Sequence, residues 1–483
     1  MKKIWDIYKN LSLPLKSSIW FVFCNALQKC VAVITTPIFT RILNTNEYGI
    51  VSLYISWESI ITLFATLYLT TGGGFYNGMK RYRNDRDGYT SSILCLVSIL
   101  TFFLFIIYTS VRIAIGDFLG LPFSLMTMMF IDIFFTSAIS LWSIRNRYEF
   151  KYQEIICYTI ITTILMPIIS IILIAIMPEK KPEARVLGMV LVKCIVYGYL
   201  YYKIMRKGKT LYNKEYWTFS VRFNIPLLPH YLSQMILEQS DRIMISDICG
   251  VVYAGIYSVA YNVSLMMKMF TTAINGTLTP WTYQCMEKKE YRKLNRVCLL
   301  IEIFIGVGCW IVCLFAPEII SILASGAYIK AYKVIPPVAI SVLFMMLYSF
   351  FVNIEFYFEK NKAIMFASIV SAIMNVILNG IFIKKYGFVA AGYTTLICYF
   401  LYSVFHYYFM KKICKEENIP CVYKGWAFWI CAIVFVVLCL GCNMIYNYPR
   451  VRYLITLGLC MIVLGMGYNI IKNPEIIKKL KKL

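Results

Sequence analysis

Charge is scarce in this chain. Only 15% of its 483 residues are Asp, Glu, Lys or Arg, against about 25% in a typical soluble domain. Polar connections are scarce too: the longest runs from Lys203 to Arg222, which leaves no room for a catalytic domain carried in a loop. No G-x-x-x-x-G-K-[ST] stretch occurs, and without that phosphate cradle ATP hydrolysis is not expected. Histidine appears twice. Neither copy, nor any acidic residue, stands near the C-x-x-C of Cys439 and Cys442, so no metal site is expected there and no cofactor elsewhere. Most other cysteines, among them Cys24, Cys30, Cys309 and Cys313, sit in apolar runs as small hydrophobes rather than as a disulfide framework.

What the chain has is apolar length. Hydrophobic residues make up 60% of it and mean hydropathy is +0.68, in blocks of about 20 residues, the length that crosses a hydrocarbon core as helix. The expected fold class is all-α: a polytopic membrane protein of about 14 transmembrane helices, in two six-helix lobes plus two C-terminal helices. The formal charge of +24 raises nucleic acid as a partner. The Lys and Arg residues fall in alternate short loops rather than on one aromatic-studded face, so no nucleic acid is expected.

The expected organisation is a cytoplasmic interfacial segment at 1–15, an N-lobe of six spans at 16–204, and a cytoplasmic linker at 205–222. A C-lobe of spans seven to twelve follows at 223–411, then two further spans at 412–471 and a basic cytoplasmic tail at 472–483. The seventh span is read as Asn224 to Ile248, the eighth as Ala254 to Thr279, the last as Tyr453 to Ile471. Lys16 to Arg41 shows no small-x-small cleavage pattern and is expected to be retained as the first span. Basic residues favour one set of loops by three to one, which predicts both termini in the cytoplasm. Gly49-Ile50-Val51-Ser52 after the first span echoes Gly255-Ile256-Tyr257-Ser258 after the seventh. That echo suggests two parallel repeats, a transporter plan with the substrate site between them.

The most informative stretch is Pro226 to Asn262. His230, Gln234, Glu238 and Arg242 follow at steps of four, with Asp241 beside them, and so share one helical face. Charge facing lipid costs at least a few kcal/mol, so this stripe is expected to face protein or a watery path. A Glu238–Arg242 pair along the helix is its structural reading. Asn25, Gln28 and Lys29 share a face of the first span, and Asn262 and Lys268 belong to a polar stripe of the eighth. Lys29 and Lys268 lie near mid-membrane on polar faces of opposite lobes. Glu58, Asp132, Glu302 and Glu355 are also intramembrane, with pairing to bases as their structural reading, whereas Lys193 is expected to snorkel. Asp85-Arg86-Asp87 is a D-x-D in a basic loop and reads as solvated rather than as a sugar-nucleotide site.

With these features the chain resembles the multidrug/oligosaccharidyl-lipid/polysaccharide exporter superfamily, and within it the Wzx-type flippases. The resemblance rests on Thr40 to Leu43 with Glu47-Tyr48-Gly49, Ser240-Asp241-Arg242, Ala254 to Tyr261, Pro280-Trp281, Ser325 to Tyr328 and Gly387 to Gly392. It implies a non-enzymatic transporter in the bacterial plasma membrane, with polyprenyl-diphosphate-linked oligosaccharide as substrate for capsule, exopolysaccharide or O-antigen assembly. Membrane lipids, a polysaccharide polymerase and glycosyltransferases of the same pathway are the implied partners. It also implies a cationic cavity, for which Lys29, Lys268 and Arg242 are the candidates, with Asn25, Gln28, Glu238 and Asn262 around them. Two alternatives stay open: a cation-coupled multidrug antiporter of the same superfamily, and a membrane-embedded glycosyltransferase or polymerase. The first span holds no Asp or Glu, which counts against the antiporter.

Overall fold

The computed structural model describes residues 13–115, 119–149 and 151–458. The expected tail at 472–483, most of the interfacial segment, and all but the start of the last span lie outside them. Among the described residues the chain is helix and short turns, with no strand. It divides into two compact units, Met1–Gly255 and Ile256–Leu483.

The first unit contains α1 (Leu13–Ile42), α2 (Thr45–Thr66), α3 (Gly72–Arg81), α4 (Arg86–Ile115), α5 (Phe123–Tyr148), α6 (Gln153–Ile176), α7 (Lys181–Gly208), α8 (Lys214–Asn224) and α9 (Leu228–Cys249). The division falls within α10 (Val251–Ser264). The second unit continues with α11 (Met266–Glu287), α12 (Tyr291–Leu314), α13 (Ala316–Leu323), α14 (Ile335–Tyr357), α15 (Asn361–Tyr386), α16 (Val389–Glu416) and α17 (Gly425–Ile445). Among the described residues, ten helical segments are long and apolar enough to cross a membrane. This is a multi-pass membrane protein. α1 and α9 stand where the first and seventh spans are expected. The eighth differs from expectation: Leu265 interrupts it, and its two halves are α10 and α11. The expected lobe boundary lies at 205–222, whereas the compact units divide one helix later, because α9 packs along α2.

In the first unit α7 is the hub, packed against α4, α5 and α6. A core of Leu53, Tyr54, Leu125, Met129, Ile133 and Val190 joins α2, α5 and α7. In the second unit the hub is α14, packed against α11, α12, α16 and α17. Its sequence, IPPVAISVLFMMLYSFFVNIEFY, has no polar face, and a helix apolar all round belongs in an interior. Of its best membrane-length window, 94% is buried. Pro336 and Pro337 open it, where their missing N–H groups cost nothing.

The short motifs prove to be punctuation. Asn44 and Glu47 form a capping box: the Asn44 side chain accepts from the Glu47 N–H at 2.9 Å, and Glu47 Oε2 accepts from the Asn44 N–H at 2.8 Å. Two residues on, Gly49 lets α2 meet α10. A Cβ on Gly49 would lie 2.1 Å from the Val251 carbonyl oxygen, and one on Gly255 would lie 2.5 Å from the Thr45 carbonyl oxygen and 2.9 Å from the Gly49 nitrogen. The echoed glycines therefore face each other across one backbone-to-backbone crossing. Gly387, at φ +75°, ends α15, and Gly392 sets α16 against Pro337 and Val338.

Gly255→Ala should lower thermal stability in detergent by about 1–3 kcal/mol, the usual cost of overpacking. Gly276→Ala in α11, with nothing within 4 Å, should leave stability unchanged or slightly raised. Equal melting temperatures for both variants would show that the α2–α10 crossing is not tight.

Candidate functional site

The residues expected to bind substrate fall into three groups. On α1, Asn25, Gln28 and Lys29 are exposed on the first unit, and Lys29 makes no ion pair or hydrogen bond among the described residues. On α9, the polar stripe is realised from within. The His230 and Gln234 Nε2 atoms are 3.3 Å apart, and Arg242 Nη1 donates to the Glu238 carbonyl oxygen at 3.2 Å and to Gln239 Oε1 at 2.7 Å. Arg242 and Asp241 are buried, and Glu238 is half-buried. On α10 and α11, Asn262 is exposed and Lys268 half-buried. Leu265 between them keeps right-handed helical dihedrals, and its N–H still donates to the Tyr261 carbonyl oxygen at 2.9 Å, so α10 passes into α11 with one tightened turn. Lys29 belongs to the first unit, Asn262 and Lys268 to the second.

The strongest electrostatic feature pairs Glu58 and Asp132 with a base, as their structural reading expects, and that base is Lys193. Lys193 of α7 does not snorkel. Its Nζ lies 2.7 Å from both carboxylate oxygens of Asp132 on α5 and 3.8 Å from Glu58 on α2. Thr136, one turn along α5, donates to Asp132 at 2.8 Å, and Asp132 is fully buried. Tyr54, one turn before Glu58, is fully buried in the same core. Two carboxylates and one ammonium thus tie three helices together in a low-dielectric interior, where an unpaired charge would be prohibitive. All three residues are visible in the sequence as intramembrane ions; that they converge is a property of the packing. The other acids diverge. Glu355 of α14 meets His406 of α16 at 2.8 Å, both fully buried. Glu302 of α12 is fully buried beside the Cys431 thiol of α17, and among the described residues no base pairs with it.

Outside the spans, ion pairs join loops that the charge pattern assigns to the same side. Arg145 meets Asp87 at 2.5 Å and Glu149 at 3.4 Å, and Lys207 meets Asp87 at 3.4 Å. At the opposite ends, Lys181 lies 3.9 Å from Glu47 and Arg452 lies 2.6 Å from Glu318. Burial raises the Glu149 carboxyl, but Lys151 at 2.6 Å and Arg145 more than offset it and hold it below its ordinary range. The D-x-D is not simply solvated: Asp85 Oδ1 accepts from the Gly88 N–H at 2.9 Å, its Oδ2 accepts from the Tyr216 hydroxyl at 2.8 Å, and Asp87 is ion-paired. Both carboxylates are committed to structure. Among the described residues no group of three or more His, Cys, Asp or Glu could hold a metal ion.

The fold is that of the multidrug/oligosaccharidyl-lipid/polysaccharide exporter superfamily. Lipid II flippase MurJ in an inward closed conformation matches with a TM-score of 0.68 at 14% identity, over 95% of this chain and 100% of that one. An inward-facing multidrug resistance MATE family transporter matches with a TM-score of 0.64 at 13% identity, over 81% and 95%. The chain belongs to the polysaccharide biosynthesis protein family, whose sequence model matches residues 15–286. It is 24% identical to Lsg locus putative protein 1 of Haemophilus influenzae over 40% of this chain and 50% of that one, so the match spans half that relative's length. It is also 22% identical to an uncharacterized membrane protein of Methanocaldococcus jannaschii over 82% and 84%. With capsular polysaccharide biosynthesis protein CapF of Staphylococcus aureus it shares 26% identity over 36% and 44%.

Lys193→Gln strands the buried Asp132 carboxylate and the half-buried Glu58 and should cost about 3–5 kcal/mol of stability, read as a lowered melting temperature in detergent. Neutralising the whole cluster, with Glu58→Gln, Asp132→Asn and Lys193→Gln together, should recover much of that loss. A triple variant no more stable than the single one would show that shape, not charge balance, is what the cluster supplies.

Proposed function

We propose that this chain is a flippase that moves polyprenyl-diphosphate-linked oligosaccharide from the cytoplasmic to the outer leaflet of the bacterial plasma membrane, for capsule, exopolysaccharide or O-antigen assembly. The observation that carries the reading is membership of the polysaccharide biosynthesis family in a chain built from membrane-length helices. The shared fold with a lipid II flippase supports it. No covalent bond is broken, so no cofactor is required. Alternating access exposes the polar headgroup to each side in turn while the lipid tail stays in the bilayer. A polymerase and glycosyltransferases of the same pathway would consume and supply the substrate.

The headgroup sets the physical problem. A diphosphate leaving water must gain positive charge or donors, because burying an unpaired anion is prohibitive. In this reading Lys29 and Lys268 supply that charge, and Asn25, Gln28 and Asn262 offer hydrogen bonds to sugar hydroxyls. Glu238 and Arg242 form part of the wall, with Arg242 held by its own helix. The cation-coupled antiporter is disfavoured because α1 carries no Asp or Glu. The glycosyltransferase is disfavoured because its one candidate motif is engaged in a cap and ion pairs.

Lysine acts here as a point charge and the diphosphate needs no bidentate fork. Lys29→Arg with Lys268→Arg should therefore keep partial export. Lys29→Gln with Lys268→Gln should abolish most surface polysaccharide at normal expression and insertion. Full surface polysaccharide from the Gln pair would overturn the cationic-headgroup mechanism.

A further inference from the structure

The connection between α7 and α9 carries α8, one face of which is packed and the other open. Each turn of α8 is fastened to the first unit through a polar face. Tyr216 donates to Asp85 at 2.8 Å, Trp217 Nε1 donates to the Ser92 carbonyl oxygen at 3.1 Å, and Ser220 and Tyr89 share a hydrogen bond of 2.8 Å. Burial, and then the Asp85 carboxylate, push the Tyr216 phenol up to about 12, so it remains a donor at neutral pH. The other face of α8 is left open, and with Arg81 at the end of α3 it lines a cavity of about 710 Å³.

The chemistry of that cavity is one-sided. Lys214, Thr218 and Arg222 follow at steps of four along one ridge of α8. Lys214 and Arg222 are exposed, and neither has an ion-pair or hydrogen-bond partner among the described residues. Arg81 is positioned by Glu215 at 3.4 Å and by the Phe219 ring, 5.1 Å from its guanidinium carbon. Three cations therefore face one carboxylate, which leaves room for an anion. Phe219 and Phe223 line the same cavity, and the half-exposed Ile225 follows. A soluble anion has no use for that apolar floor, whereas an anion carried on an acyl chain does.

We propose that this cavity binds the phosphodiester headgroup of an anionic phospholipid, in the leaflet on the side that the charge pattern assigns to the cytoplasm. The cations hold the phosphate, and the phenylalanines meet the start of the acyl chains. A juxtamembrane Lys or Arg contributes enough at an anionic surface that losing one should weaken binding about fivefold.

Native mass spectrometry of the full chain in detergent tests this, with phosphatidylglycerol as probe, phosphatidylcholine as the zwitterionic control and inorganic phosphate as competitor. Phosphatidylglycerol should be retained over phosphatidylcholine and should not be displaced by inorganic phosphate. Lys214→Gln and Arg222→Gln, two exposed side chains whose loss breaks no contact, should each weaken retention about fivefold. Lys209→Gln, exposed in the same basic connection but outside the cavity, should leave it unchanged. Equal retention of the two lipids, displacement by inorganic phosphate, or equal weakening by all three substitutions would each overturn the proposal. The first means no headgroup selectivity, the second a soluble-phosphate site, and the third a diffuse basic surface. None of these readouts depends on transport.

Discussion

A charge in a hydrocarbon interior must bring its counter-charge with it. The first unit meets that constraint by drawing α2, α5 and α7 onto a single ammonium, that of Lys193. The constraint orders more than one contact. α7 cannot turn its lysine toward lipid without stranding Asp132, so its rotation about its own axis is fixed, and the helices packed on it inherit that setting. The second unit is ordered differently. Its central α14 carries no polar face, and the burial of that helix does the positioning, with Glu355 and His406 closing one end.

Much of this architecture is legible from the sequence because membrane helices must satisfy their backbones internally and announce their length as apolar runs. The capping residues Asn44 and Glu47 and the terminating Gly387 are equally local, so they can be read in place. Legibility ends where the outcome depends on which helix faces which. Lys193 looks like a residue free to reach the interface, because its partners lie 61 and 135 positions away. Leu265 carries no breaking signal of its own, yet the ladder tightens there to a bond from the Lys268 N–H to the Leu265 carbonyl oxygen. The D-x-D looks solvated because Tyr216 and Arg145 arrive from remote segments. Among the candidate binding residues, exposure of Asn25, Gln28 and Lys29 is what a polar face in an apolar run suggests. The burial of Arg242 fits a stripe expected to face protein, whereas the helix that α9 lies along, α2, is a matter of packing.

The family membership and the physics of the proposed cargo point the same way. A sugar diphosphate on a lipid needs a protein that can tolerate polar surface at membrane depth without exposing it to acyl chains. This chain stores its intramembrane polarity in two forms: closed clusters such as Lys193 with its acids, and open faces such as that of α1. The closed clusters hold the scaffold. Under the proposed function, the open faces are the part left available to a cargo.

The docking of α8 changes what the long basic connection is. Read as sequence, Lys203 to Arg222 is a flexible strap whose reach grows with its length. In the folded chain α7 runs to Gly208 and α8 begins at Lys214, so only residues 209–213 remain as loop, with Leu211 and Tyr212 exposed at its tip. The slack within this connection of the first unit is thus far smaller than the spacing of the apolar blocks implies. Folding therefore removes most of the conformational entropy of this segment, where a free strap would have kept it. Thr210 is held to Ser91 and Asn213 caps α8, so the exposed Leu211 and Tyr212 are where a protease would find the backbone accessible and where an inserted epitope would cost the fold least.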